Sequence, residues 1–310
     1  MLKLADSVER YKRVIKIGNP ITIKMAEKEL LNAIPKLKPM DLVNTLKMIV
    51  PKKDSSPIVT EKIVAECKRR NFKEFKGQDI ALLLTLNELP TAAELVPVIV
   101  EKFFFGKNSI VRDMRTTDLC ISLLGLARQP SNVKQLLPDV IATILHEFVK
   151  GDRIKQFREI NVSQVLSALS TKTSLRAIES LRVSNGELVQ SFVSKLGLKT
   201  ENNSEDFSNK SIAFCLFSFV NMFQAARVPL DDPQRLSLLA KLAEEAFKRD
   251  SLDQDQLVAC IRALGRAHAL DEKLVTNRLL VSIDLEKLDG EQRSGLEQAL
   301  KTVNMTLTNT

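Results

Sequence analysis

Glycine, aromatic residues and histidine are scarce in this chain of 310 residues. It contains 10 glycines, one tyrosine, two histidines and no tryptophan. Folds rich in strands need turn glycines and aromatic or β-branched runs, so this composition favours helices. The sequence also lacks any run of about 18 uncharged apolar residues, which a membrane-spanning helix requires. We therefore expect an all-α protein that has no membrane partner.

Residues that usually carry catalysis or bind metals are few and scattered. His146 and His268 are far apart in the sequence, and no glycine-rich phosphate loop, nucleophile elbow or HExxH motif is present. No CxxC pair is formed by the cysteines, which are Cys67, Cys120, Cys215 and Cys260. The sequence thus predicts buried thiols in a reducing compartment, with no catalytic residue, metal, cofactor or small-molecule substrate.

One helical pattern recurs along the chain. Each copy has an apolar anchor, three mostly polar residues, then Asp, Gln or Ser, and apolar residues at the sixth and tenth positions. Polar side chains suit the first turn of a helix, whose N–H groups lack partners, and an acid there complements the helix dipole. The pattern therefore predicts helix starts after Leu37, Phe75, Met114, Ile160, Phe207, Leu252 and, in a poorer copy, Leu288.

A second amphipathic helix fits between successive anchors. Apolar residues recur at i, i+3, i+4 and i+7 in segments 56–70, 91–104, 133–149, 185–197 and 232–249. Helical hairpins repeated about every 40 residues are typical of HEAT or armadillo solenoids. We predict one α-solenoid domain over residues 1–310, with about seven hairpins and a loop insertion at about 199–210. Leu84, Leu123 and Leu216 share one repeat position and should be buried.

Positive charge is concentrated near the N-terminus. Residues 1–76 hold 18 Lys and Arg against 9 Asp and Glu, whereas residues 77–310 hold 28 against 29. Lys38, Lys76 and Arg115 also stand at predicted helix starts, where the dipole disfavours a cation. A polyanion bound along this edge would explain them, so the predicted nucleic-acid contacts are Lys36, Lys38, Arg69, Arg70, Lys73, Lys76, Arg112 and Arg115. An acidic protein surface and plain solubility remain alternatives.

Single-stranded RNA is the nucleic acid that fits best. The sequence contains no helix-turn-helix, zinc-finger or RRM motif, and few aromatic residues are expected at the surface. Two of Phe103, Phe104 and Phe105 should belong to the core. Contact along the backbone of the strand, with weak sequence readout, is therefore expected.

The repeats in LKPMDLVNTL, FKGQDIALLL and MRTTDLCISL resemble those of organellar RNA-handling proteins. These are the FAST-kinase-like and heptatricopeptide families and the helical-repeat subunits of the kinetoplastid mitochondrial RNA-editing mediator complex. The resemblance implies RNA binding, or assembly with other protein subunits of an RNA-processing complex, in the mitochondrial matrix and without catalysis. The basic N-terminus contains Asp6 and Glu9, which favours a packed first helix over a transit peptide. A cytoplasmic location is the alternative.

Together these features predict a non-enzymatic subunit that binds RNA or acts in RNA processing, through a basic N-terminal edge. Mitochondrial RNA metabolism or editing is the expected setting. The alternative function is a HEAT- or armadillo-type scaffold that binds an acidic or helical protein partner.

Overall fold

The structure is a computed structural model that describes residues 2–17, 19–49, 57–86, 94–106, 109–129, 135–248, 253–269 and 283–302. Every regular element in these ranges is a helix, and no strand occurs among them. The all-α class predicted from the sequence is thus confirmed. None of the helices in the described ranges is long and apolar enough to cross a bilayer.

The chain folds as two compact units, Met1–Val140 and Ile141–Thr310. The single domain over residues 1–310 that the repeats predicted stays a prediction. The first unit contains α1 Leu2–Ile17, α2 Pro20–Ala33, α3 Pro39–Ile49, α4 Pro57–Arg69, α5 Gly77–Leu84, α6 Leu95–Val100 and α7 Thr116–Ala127. A π-helical turn, Glu101–Phe105, continues α6. The division falls within α8, Leu137–Lys150.

Helices of the first unit pack in two layers. Helix α1 contacts α2 and α3, α3 contacts α4 and α5, and α5 contacts α7. On the other side, α2 contacts α4. The expected packed first helix is present, since Tyr11 of α1 is fully buried. Helices two places apart in the sequence therefore lie side by side, as stacked hairpins require.

The second unit follows the same plan with one additional helix. Its elements are α9 Glu159–Leu169, α10 Lys172–Ser184, α11 Gly186–Asn203, α12 Asn209–Ala226, α13 Pro233–Lys248, α14 Gln254–Arg266 and α15 Gly290–Lys301. Helices α9, α12, α14 and α15 contact one another in that order, and α11 contacts α13. The additional helix, α10, packs on α9, α11 and α12. No sequence pattern had predicted it.

The apolar positions of the repeat form the core. Leu84, Leu123 and Leu216 are fully buried, as their shared repeat position predicted. All four cysteines are buried and free. Phe103 and Phe104 are buried, whereas Phe105 is exposed, so two of the three belong to the core as expected.

The fourth copy of the repeat begins three residues earlier than predicted. Ile160, its predicted anchor, is 59% exposed, whereas Phe157 is only 2% exposed. The N–H of Arg158 donates to Asn161 Oδ1 at 3.1 Å, which starts α9 at Glu159. Asn therefore takes the place of Asp in this copy, a substitution that the pattern of Asp, Gln or Ser had missed. The predicted anchor Leu252 and residues 91–93 and 133–134 of two predicted helices lie outside the described residues.

Residues 199–210, predicted as a loop insertion, are mostly helical. Helix α11 continues to Asn203, and the 3-10 helix Ser204–Asp206 follows before α12 begins at Asn209. Polar residues are compatible with this helix because their side chains bond to its own carbonyls. Thr200 Oγ1 donates to Leu196 O at 2.8 Å, and Asn203 Nδ2 donates to Lys199 O at 2.7 Å.

Candidate nucleic-acid interface

Two turns of the first unit form an open cleft, here called the basic cleft. One turn is the 3-10 helix Ile34–Lys36, which links α2 to α3. The other, residues 70–76, links α4 to α5. The cleft has a volume of about 620 Å³ and is lined by five of the eight predicted contact residues, Lys36, Lys38, Arg69, Arg70 and Lys73, together with Pro35, Leu37, Asn71 and Glu74.

A buried aromatic cluster sets the shape of the second turn. Asn71 and Phe72 both have left-handed backbones, with φ values of 49° and 53°. This conformation is costly for a bulky residue such as Phe, at about 1–3 kcal/mol. Phe72 is 1% exposed and packs edge-to-face on Phe75 and Phe103, with centroids 5.3 and 5.9 Å apart. Burial of the ring therefore holds the turn that places Lys73 at the surface.

Arg70, one of the predicted contact residues, makes structural hydrogen bonds within the cleft. Its side chain is only 13% exposed. Nη1 donates to Leu37 O at 2.7 Å and Nη2 donates to Pro35 O at 2.8 Å, while Nε donates to Glu66 Oε1 at 2.7 Å. Arg70 thus ties α4 to the turn before α3, and each of its three side-chain nitrogens already donates a hydrogen bond.

Glu66 holds two arginines at the edge of the cleft. Its carboxylate accepts hydrogen bonds from Arg69 Nε at 2.8 Å and Arg69 Nη2 at 2.7 Å, in addition to the bond from Arg70. The Arg69 hydrogen bonds are the main reason that the pKa of Glu66 is lowered to about 2, against the opposing effect of burial. The Arg69 side chain is still 67% exposed, so its charge faces solvent.

Three lysines of the cleft are exposed and unpaired. Within the described part of the chain, Lys36, Lys38 and Lys73 make no ion pair. Glu74 is the exposed acid of the cleft, and its nearest oxygen lies 3.8 Å from Arg70 Nη1. The cleft therefore carries five cations and the two carboxylates of Glu66 and Glu74, so its electrostatic potential is positive.

Lys76 and Arg115 lie at the starts of α5 and α7, outside the basic cleft. A Cβ placed on Gly77 would come within 2.8 Å of Met114 Cγ, so these two helix starts are adjacent. Lys76 is exposed, and its backbone N–H donates to Asp79 Oδ2 at 2.8 Å. Arg112 is exposed in the turn that precedes α7.

Arg115 has a local partner that accounts for its position. Its Nε and Nη2 donate to the carboxylate of Asp118 at 2.8 and 2.9 Å, and the Asp118 side chain is 4% exposed. The acid offsets the unfavourable contact between the cation and the helix dipole. A cation at a helix start therefore does not require a bound polyanion here, which weakens the sequence argument for Arg115.

Other basic residues also tie neighbouring turns together. Lys195 Nζ donates to Val149 O at 3.0 Å, and Arg235 Nη2 donates to Ala267 O at 3.0 Å at the end of α14. Lys102 Nζ donates to the carbonyl and side-chain oxygens of Asn71. Some basic residues near turns therefore bond to neighbouring turns, whereas others are exposed to solvent. Only the three-dimensional structure distinguishes the two groups.

The cleft offers charge and hydrogen-bond donors without an evident nucleophile. Burial raises the pKa of the nearby Cys67 thiol to about 12, which leaves it protonated at neutral pH. No group of three His, Cys, Asp or Glu residues that could hold a metal ion occurs in the described ranges. The arrangement of exposed ammonium groups is suited to binding phosphate oxygens.

Neither a protein-family model nor a curated protein sequence matches this chain. The functional assignment of the basic cleft therefore rests on its charge and its geometry.

Proposed function

We propose that this protein is a non-enzymatic, RNA-binding subunit of an RNA-processing assembly, and that the basic cleft contacts the RNA backbone. The observation that supports this function most directly is the convergence of Lys36, Lys38 and Lys73 on one open cleft. Each of these ammonium groups lacks an ion pair with the described residues, whereas the adjacent Arg69 and Arg70 both pair with Glu66. Unpaired cations on a shared surface repel one another, and bound phosphates would relieve that repulsion.

The fold is consistent with such a role. We also propose that the stacked hairpins form an α-solenoid of about seven repeats, because helices two places apart pack on each other within each unit. Solenoids present extended edges that suit a linear ligand. The mitochondrial matrix, implied by the resemblance of the repeats, belongs to the same proposal.

The test replaces the three free lysines together, as Lys36→Gln, Lys38→Gln and Lys73→Gln. Arg70 is left intact because its loss would disrupt the cleft itself. Binding of a labelled single-stranded RNA of mixed sequence is measured over a salt series. Each lost phosphate contact should lower the salt slope by about 0.7, so the triple variant should lose about two. Circular dichroism should show an unchanged helical content.

A matched control removes three exposed lysines outside the basic N-terminal quarter, as Lys150→Gln, Lys172→Gln and Lys210→Gln. These lysines are also exposed without an ion pair to a described residue. The control should retain the wild-type salt slope. Equal slopes in both variants would show that the basic cleft is not the contact. Failure of the wild type to bind RNA at low salt would favour a scaffold that binds an acidic or helical protein.

A further inference from the structure

A second exposed surface lies in the unit Ile141–Thr310, on helices α12 and α14. Phe217 of α12 is 38% exposed, although both of its neighbours in sequence are buried. The Arg266 guanidinium carbon lies 5.2 Å from the centroid of the Phe217 ring. An exposed phenyl ring and a guanidinium plane therefore meet at the surface of this unit.

The repeat register places a second arginine on the same face. Phe217 and Arg262 each stand ten residues after an anchor, Phe207 and Leu252 respectively. They therefore occupy the same repeat position on α12 and α14, which pack against each other. A Cβ on Gly295 of α15 would collide with the Arg262 guanidinium, so this side chain lies close against α15. The helices α12, α14 and α15 thus share a face that carries one ring and two guanidinium groups.

The two arginines repel each other, and among the described residues their one acidic partner is Glu291, which pairs with Arg262 at 3.9 Å. Arg262 and Arg266 are four residues apart on one helix, where like charges repel. Partial burial, and then the charge of Arg262, lower the pKa of Arg266. Arg266 has no ion pair among the described residues, and the nearest carboxylate oxygen to Arg262, on Glu291, is 3.9 Å away. An anionic ligand on this face would offset that repulsion.

We infer that this face stacks an unpaired base of single-stranded RNA on Phe217, with Arg262 and Arg266 contacting the adjoining phosphates. The inference rests on the proposed RNA-binding function and adds a site for bases to the backbone contacts of the basic cleft. Aromatic rings and guanidinium planes both stack on nucleobases, and this contact is tolerant of sequence because every base has a π-face. A duplex keeps its bases stacked inside the helix, so the site selects unpaired strands.

The test uses the full chain and a single-stranded RNA that contains 2-aminopurine, whose fluorescence falls when it stacks. Phe217→Ala should weaken binding by about tenfold and reduce the fluorescence change, since one base–ring contact is lost. Phe217→Tyr should restore both, because it keeps an aromatic ring. The salt slope should stay at the wild-type value in both variants, since neither removes a cation.

A matched control is Leu230→Ala, which shortens a 54% exposed apolar side chain of the same unit and should leave affinity unchanged. Thermal unfolding of each variant checks that the unit stays folded. Equal affinity of Phe217→Ala and wild type, with binding still dependent on the basic cleft, would overturn the stacking site and leave the proposed function intact. Equal losses for single-stranded and duplex RNA would also overturn it. Absence of any RNA binding by the wild type would remove the proposed function and this site together.

Discussion

The role of a basic residue in this protein depends on which oxygen atoms lie within reach of it. Arg70 and Lys73 belong to the same basic run of sequence, CKRRNFKEFK. The left-handed turn at Asn71 and Phe72 separates them, so Arg70 bonds to the carbonyls of Leu37 and Pro35, whereas Lys73 is exposed. The sequence could identify a basic surface. It could not show which of its residues are bonded within the protein and which are exposed, because this depends on contacts between residues more than 30 positions apart.

Glu66 gives a residue-scale prediction about stability and pH. Its folded pKa of about 2 lies below the ordinary value of 4.5. Its stabilising effect should therefore be complete above pH 4.5 and disappear as the pH falls from 4.5 towards 2. Glu66→Gln should lower the free energy of unfolding at pH 7 by about 1–3 kcal/mol, since hydrogen bonds to a charged group are lost. Urea unfolding of both proteins at pH 7 and near pH 3 should show the difference shrinking at the lower pH.

Glu74→Gln provides the control for this prediction. The Glu74 side chain is 70% exposed and its ion pair with Arg70 is long, at 3.8 Å. Its replacement should change the free energy of unfolding by less than about 1 kcal/mol. A loss for Glu66→Gln that is the same at both pH values would contradict the assigned ion pairs.

At the scale of the helix, the chemistry of helix starts could be predicted well from the sequence. Helices α3, α5, α7 and α12 each begin two residues after their predicted anchors. Two kinds of start occur, since Ser208 and Asp253 accept N-terminal N–H groups through their own side chains, whereas the N–H of Lys76 donates to Asp79, the third residue of α5. The prediction failed where this chemistry varied, because Asn161 stands where Asp, Gln or Ser was expected.

Helix α10 was not predicted because it lies between the two helices of a repeat and has no apolar anchor of its own. Thr171 starts it by accepting the N–H of Ser174 at 3.2 Å. Its apolar residues Ala177, Ile178 and Leu181 are buried, and the helix packs on its neighbours α9 and α11 and also on α12.

Gly125 gives a prediction at the scale of two packed helices. A Cβ at this position would lie 2.5 Å from the Leu84 carbonyl oxygen, so α7 approaches the end of α5 too closely for any side chain. Gln129 Nε2 also donates to this carbonyl at 2.7 Å. Gly125→Ala should lower the free energy of unfolding by about 1–3 kcal/mol despite the better helix propensity of Ala, because backbone atoms must separate. Urea denaturation measures the change.

Gly186→Ala is the matched substitution, since a Cβ at Gly186 would meet nothing within 4 Å. It should be neutral or stabilising by up to about 1 kcal/mol, because Ala loses less backbone entropy than Gly. Stabilisation by both substitutions would show that α5 and α7 are not in close contact at Leu84.

At the scale of the whole molecule, the amino-acid composition and the spacing of the repeats were more informative about the fold than any single motif. The scarcity of glycine and aromatic residues pointed to the helical class, and the sixth and tenth positions of the repeat are buried, from Leu42 and Leu46 to Leu257 and Ile261. The division at Val140 was not predictable from the repeat, because apolar spacing continues across it although each unit packs mainly on itself. The distribution of net charge does not follow the two units, because the positive excess is confined to residues 1–76 of the first unit.

The division into two units predicts how stability is distributed along the chain. Leu123 in the unit Met1–Val140 and Leu216 in the unit Ile141–Thr310 are fully buried at the same repeat position. Replacement of either by Ala should destabilise its own unit by about 2–5 kcal/mol, through lost burial and the cavity that remains. Hydrogen exchange read by peptide should therefore accelerate in the first unit for Leu123→Ala and in the second for Leu216→Ala, since each unit packs mainly on itself. Acceleration along the entire chain in both variants would instead show that it unfolds as one cooperative domain, as the unbroken repeat had suggested.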